Sequence, residues 1–132
     1  MTVTEIIELN PRPISLDQEL LLRCVDACFD CSATCTGCSD ACLGEPDVSE
    51  LVRCVRRCLD CADVCWTVGR VVTRQTEPDP GVVRAVVEAC VAACRACGDE
   101  CERHAPHHDH CRVCAESCRR CEQACSDLIA SM

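Results

Sequence analysis

From Cys24 onward, cysteine falls at Cys24, Cys28, Cys31, Cys35, Cys38 and Cys42 and at no position between them. The steps alternate four and three residues. That is the spacing of the a and d positions of a heptad repeat, so on an α-helix all six thiols stand on one stripe facing a partner. The same rhythm returns at Cys54, Cys58, Cys61 and Cys65, at Cys90, Cys94, Cys97 and Cys101, and at Cys111, Cys114, Cys118, Cys121 and Cys125. All 19 cysteines of the chain lie on these four stripes. Four stripes that must each be covered predict an all-α fold, an antiparallel up-down-up-down four-helix bundle with a cysteine-lined core.

The punctuation between the stripes sets the expected boundaries. A chain of 132 residues suits one domain, with helices at about 16–43, 48–75, 80–104 and 110–130 and a short segment 1–14 ahead of them. Thr2 to Leu9 has room for one or two helical turns, expected outside the bundle. Ser15 with Gln18 resembles a capping box for the first long helix, and Gly44 and Pro46 stop it. Asp47 with Glu50 repeats that logic for the second. Asp79 as N-cap and Pro80 at the first helical position open the third, which ends before Pro106. Asp109 or a neighbour caps the fourth.

Extending each heptad beyond its cysteines predicts what lies at the two ends of the bundle. Leu21, Val68, Val72, Val83, Val87, Leu128 and Met132 continue the stripes to one end, as an apolar plug. Leu51, His104 and His107 continue them to the other, with His108 and His110 beside them. All 4 histidines therefore collect at one mouth.

Several function classes are disfavoured. No run of about 18 apolar residues is present, so no membrane span is expected. The N-terminal residues carry Glu5 and Glu8 where a secretory leader would carry basic residues, which points to a cytoplasmic protein. In a reducing compartment a cysteine-rich chain is more suited to metal than to disulfides, and an odd number of thiols leaves one unpaired. A net charge of −9 with scattered arginines argues against nucleic acid.

A single buried cysteine packs as a small hydrophobe, but a core lined with thiols over about 27 Å (18 residues at 1.5 Å each) would be underpacked unless something filled it. Soft thiolates select Cu(I), zinc or iron–sulfur clusters. The stripes hold nine CxxxC pairs, 24/28, 31/35, 38/42, 54/58, 61/65, 90/94, 97/101, 114/118 and 121/125. Residues four apart on a helix have Cβ atoms about 5–6 Å apart, a span two thiolates can bridge through one Cu(I). Charge supports copper, since about one Cu(I) per thiolate leaves a nearly neutral core, whereas a zinc Cys₄ site buries two negative charges with no Lys or Arg on the stripes to offset them. No CxxCxxC occurs, which disfavours the bacterial iron–sulfur pattern.

Nine CxxxC pairs on four helices and a histidine-bearing mouth resemble the bacterial copper storage proteins, in their cytosolic branch, over essentially Ser15 to Met132. That resemblance implies a preformed tube taking up multiple Cu(I) ions, a homotetrameric assembly, and a role in copper storage, homeostasis or detoxification. It implies that the stripe cysteines are the ligands, Cys111 included, and that His104 and His108 help bind or admit copper, with His110 near. Members place Asp or Met at the mouth; here Asp47 and Asp109 read as helix caps. Phe29 and Trp66 read as packing residues, and Val52, Val55, Leu59, Val91 and Val113 as the makings of a subunit interface. The expected function is a cytosolic Cu(I) store, not an enzyme, loaded by a copper chaperone or by small thiols. The rivals are a zinc or general heavy-metal thiolate buffer and a thiol redox or electron-transfer protein.

Overall fold

The computed structural model describes residues 2–132, and these form five α-helices with no strand. Helix α1 spans Thr2–Glu8, α2 Gln18–Leu43, α3 Val52–Thr73, α4 Pro80–His104 and α5 Asp109–Ser131, with one 3₁₀ turn at Val48–Glu50. The four long helices form the bundle. Helix α2 packs on α3 and α5, and α4 packs on the same two. Cys42 near the end of α2 meets Cys54 near the start of α3, and Cys24 near the start of α2 meets Cys125 near the end of α5. Neighbours therefore run antiparallel.

The caps explain where the helices begin, and two of them differ from the sequence expectation. Helix α2 is capped by Asp17, whose carboxylate accepts from the Leu20 backbone N–H at 3.0 Å, and not by Ser15. A carboxylate at the N-terminus gains from both the orphan donors and the helix dipole. Asp47 precedes only the 3₁₀ turn and makes no capping bond; α3 starts later, after Leu51. Asp79 behaves as read, accepting from the Val82 N–H at 3.0 Å, with Pro80 first in α4. At α5 the N-cap is His108, and Asp109 is the first helical residue.

The plug is built of the residues that continue the heptads. Leu21, Val72, Val87 and Leu128 are fully buried, and Val68 and Val83 nearly so. Burying each such side chain contributes about 1.5–3 kcal/mol, so this end supplies much of the stability that small thiols cannot. Helix α1 contributes to it, contrary to its expected place outside the core. Ile7 is buried, and Asn10 bonds Thr76 at 3.3 Å in the loop between α3 and α4, tying α1 over the closed end.

On the outside, Phe29 of α2 and Trp66 of α3 pack edge to face with centroids 5.1 Å apart. Gly69 lies under that ring, where a Cβ would come within 2.9 Å of Phe29. The close approach of α2 and α3 there needs a residue without a side chain. Among the described residues no helix is long and apolar enough to cross a membrane.

Candidate metal centre

All 19 cysteines are free and buried. Cys38 is 3% exposed and every other cysteine is 0% exposed, so the four stripes close into one sulfur-lined core. The stripes bring the thiols together across helices as well as along them.

At the closed end Cys125 lies 3.7 Å from Cys24 and 3.8 Å from Cys28, sulfur to sulfur. Cys90 meets Cys28 at 3.8 Å, Cys121 at 3.7 Å and Cys65 at 3.6 Å. Cys94 continues from Cys65 at 3.6 Å to Cys61 at 3.8 Å, and Cys61 to Cys31 at 4.0 Å. Cys31 touches Cys118 at 3.9 Å and Cys35 at 3.8 Å, and Cys35 touches Cys114 at 3.6 Å. Cys58 is 3.9 Å from Cys114, 3.8 Å from Cys97 and 3.7 Å from Cys101. Cys54 then links Cys101 at 3.8 Å to Cys42 at 3.9 Å. From Cys24 to Cys42 the column has no sulfur gap above 4.0 Å.

Cys38 lies within 4.8 Å of Cys54, Cys58 and Cys101, and an imidazole bridges it to Cys111. His110 Nδ1 stands 3.5 Å from Cys38 Sγ and 3.6 Å from Cys111 Sγ, while its Nε2 is buried with no partner. Of the histidines singled out from the sequence, His110 is the one in contact with thiols. His104 bonds the buried carboxylate of Glu100 at 3.1 Å. His108 bonds Asp47 at 3.1 Å, pairs with Glu45, and stacks on His110 with centroids 5.4 Å apart. His107, on the extrapolated stripe, is exposed. The heptad count holds only within a helix, and α5 begins after it. Asp47 thus belongs to the mouth rather than to a cap, and Asp109 points to solvent with its side chain 97% exposed.

Electrostatics follow from burial and crowding. Burial, ahead of repulsion from Cys54, pushes the Cys42 thiol up to about 11, and burial likewise raises Cys111. Deeper in, hydrogen bonding with Cys118 lowers Cys31, whereas hydrogen bonding with Cys114 raises Cys35. A thiolate formed in this column is stabilised by neighbouring S–H donors and opposes ionisation of the next thiol. A cation entering this core displaces protons and removes that opposition. Among the described residues no arginine is buried to do the same. At the rim, the Asp47 carboxylate raises His108, and His108 in turn lowers Asp47.

The spacing bears on coordination. A linear S–metal–S unit with bonds of about 2.3 Å needs sulfurs about 4.6 Å apart, more than the contacts above. Three sulfurs around one ion at that bond length stand about 4.0 Å apart, which the column matches across helices. The sequence pairs thiols along a helix; the bundle offers each ion sulfurs from a neighbouring helix too.

The family model for copper storage proteins matches residues 17–130. The chain belongs to the copper storage protein family. It is similar to the copper storage protein Ccsp of Streptomyces lividans loaded with 10 copper equivalents, at 49% identity and TM-score 0.96, covering 98% of this chain and 99% of that one. The S. lividans protein, also known with five coppers, is a cytosolic copper storage protein. Cu(I)-bound BsCsp3 is 32% identical with TM-score 0.72, over 80% of this chain and 94% of that one. An uncharacterized cysteine-rich protein of Bacillus subtilis, YhjQ, is 34% identical over 107 residues, 81% of this chain and 94% of its own length.

Proposed function

We propose that this chain stores and buffers Cu(I) in the cytosol, holding many ions on the thiolates of the 19 core cysteines. The observation that carries the reading is the unbroken sulfur column. Every thiol lies within reach of another or of His110, so an ion can pass from pair to pair by thiolate exchange without entering water. One Cu(I) for each displaced proton keeps the core near neutrality, which divalent ions in separate Cys₄ sites, each left with two negative charges, do not.

Entry is at the histidine mouth, because the opposite end is closed by Leu21, Val72, Val87 and Leu128 and covered by α1. His110 hands copper to Cys38 and Cys111, and His104 and His108 bind or admit ions at the rim. Copper arrives as Cu(I) from a chaperone or from small thiols. The stored metal serves copper homeostasis or detoxification, and no catalytic step is assigned to it.

A homotetramer is the assembly the family resemblance implies. Supporting it, Val52, Leu59 and Trp66 recur every seven residues along α3 and are 68%, 46% and 53% exposed, an apolar stripe on the face away from the sulfur core.

Anaerobic titration of the reduced protein with Cu(I) against a competing chelator tests the proposal. Retention of well over about ten ions per chain after desalting is expected, following more than about one ion per two thiolates. Saturation at about four or five, the count for tetrahedral Cys₄ sites, would refute it.

A further inference from the structure

We infer that the core also contains one preformed four-thiolate site for a divalent, thiophilic ion of the zinc class, made by Cys38, Cys54, Cys58 and Cys101. Zinc takes four ligands at the corners of a tetrahedron, and with zinc–sulfur bonds of about 2.3 Å the edges of that tetrahedron are about 3.8 Å. In this cell Cys101 stands 3.8 Å from Cys54 and 3.7 Å from Cys58, and all four sulfurs lie within 4.8 Å of one another. Two edges of the cage thus already have the tetrahedral length, and the other four are at most about 1 Å longer than it before any ion is bound. Its sulfurs come from α2, α3 and α4, so the bundle and not a flexible loop sets the spacing.

Other groups of four are present, Cys28, Cys90, Cys121 and Cys125 among them, and their sulfurs are as close. Charge separates the cells. A divalent ion binding four thiols releases four protons and leaves two negative charges, and the cost of holding these grows with distance from water. Cys38 is the one cysteine with any exposure, 3% against 0% for the rest. His110 stands 3.5 Å from Cys38 Sγ, where its ring N–H can donate to that thiolate and draw off part of the charge. Among the described residues, Cys38 and Cys111 are the cysteines with a hydrogen-bond partner other than sulfur, so the interior cells lack this nitrogen donor.

This cell lies directly beneath the histidine mouth. A zinc ion there sits in the path of entering Cu(I), which replaces it by taking its thiolates one or two at a time. The divalent site goes beyond the storage reading and stands apart from copper capacity, which depends on the whole column.

Anaerobic titration of the full reduced chain with Co(II), followed by Zn(II), tests the inference. One Co(II) per chain is expected, with thiolate charge-transfer and tetrahedral d–d absorption, displaced by one equivalent of Zn(II). Cys101→Ser is expected to weaken Co(II) binding at least tenfold, as is Cys38→Ser, while Cys121→Ser, in an interior cell, still binds one ion. Far-UV circular dichroism confirms that each variant keeps its helices. Absence of tetrahedral cobalt, binding of three or more ions with equal affinity, or equal weakening in Cys121→Ser and Cys101→Ser would overturn it. Cu(I) capacity measured on the same samples separates the two claims: a column that fills with copper but binds no cobalt refutes only the divalent site, and one bound cobalt with four or five coppers refutes only storage.

Discussion

Gly69→Ala sets two known effects against each other. Replacing glycine by alanine inside a helix contributes about 1 kcal/mol of stability from backbone entropy and propensity. Here the added Cβ meets Phe29 Cε1 and Cζ at 2.9 Å, where carbon contacts settle at about 3.5–4.0 Å. The ring must move by about 0.6–1.1 Å, and it is held edge to face against Trp66 at 5.1 Å. Overpacking of this kind costs about 1–3 kcal/mol, and loosening the aromatic pair adds about 0.5–1.5 kcal/mol. The steric cost wins, for a net destabilisation of about 1–2 kcal/mol. In a Phe29→Ala background the obstruction is gone and the same change stabilises by about 1 kcal/mol, so the cycle yields a coupling of about 2–3 kcal/mol with a reversal of sign. Urea unfolding of the reduced, metal-free protein reads this directly, followed by the fluorescence of Trp66, the single tryptophan. Equal stabilisation by Gly69→Ala in both backgrounds would refute the packing argument. The helix contact at stake also fixes how the α2 and α3 sulfurs face each other.

The plug, the mouth and the column each carry a further prediction. Leu128→Ala, at a fully buried position, should lower stability by about 2–5 kcal/mol in chemical unfolding of the metal-free protein. Asp47 raises His108 and is itself lowered, so the pair stabilises above the unfolded carboxylate pKa of about 4 and loses that as pH rises through the folded His108 value. The melting-temperature gap between wild type and Asp47→Asn should therefore be widest between about pH 4 and 6.5, close above it, and close again in stronger acid. His110→Ala should slow Cu(I) uptake in stopped flow while leaving the final count within about one ion of wild type, since it removes one ligand beside many thiolates. Cys97→Ser, in mid-column, should do the reverse, lowering the count by about one or two ions with little change in initial uptake.

The parts legible in the sequence are those governed by local periodicity. A step of four and three residues fixes a helix face, so the sulfur core followed from cysteine positions alone, and carrying the same step outward found Leu21, Val68, Val72, Val83, Val87 and Leu128. Asp79 and Pro80 were equally plain, because cap and proline are adjacent in the chain. The misreadings fall where the heptad stops. His107 was placed by counting back past the start of α5, yet its chain there is a turn, and His110 supplies the inward imidazole. Ser15 with Gln18 fits a capping box in the sequence, whereas the backbone places the cap at Asp17. Asp47 looked like a cap because its partner, His108, is 61 residues away. Ile7 belongs to a two-turn helix too short to show a stripe. Which sulfurs touch across helices depends on the axial stagger of α2 against α5 and α3 against α4, which no single helix encodes.

Copper-edge X-ray absorption on the fully loaded protein measures the central claim most directly, because it reports the atoms around every stored ion at once. The sulfur column predicts a shell of two or three sulfurs at about 2.3 Å around nearly all the copper, with nitrogen confined to the small fraction at the mouth. A shell dominated by nitrogen or oxygen would mean that the metal lies on the surface, and the account of a buried thiolate store would be wrong.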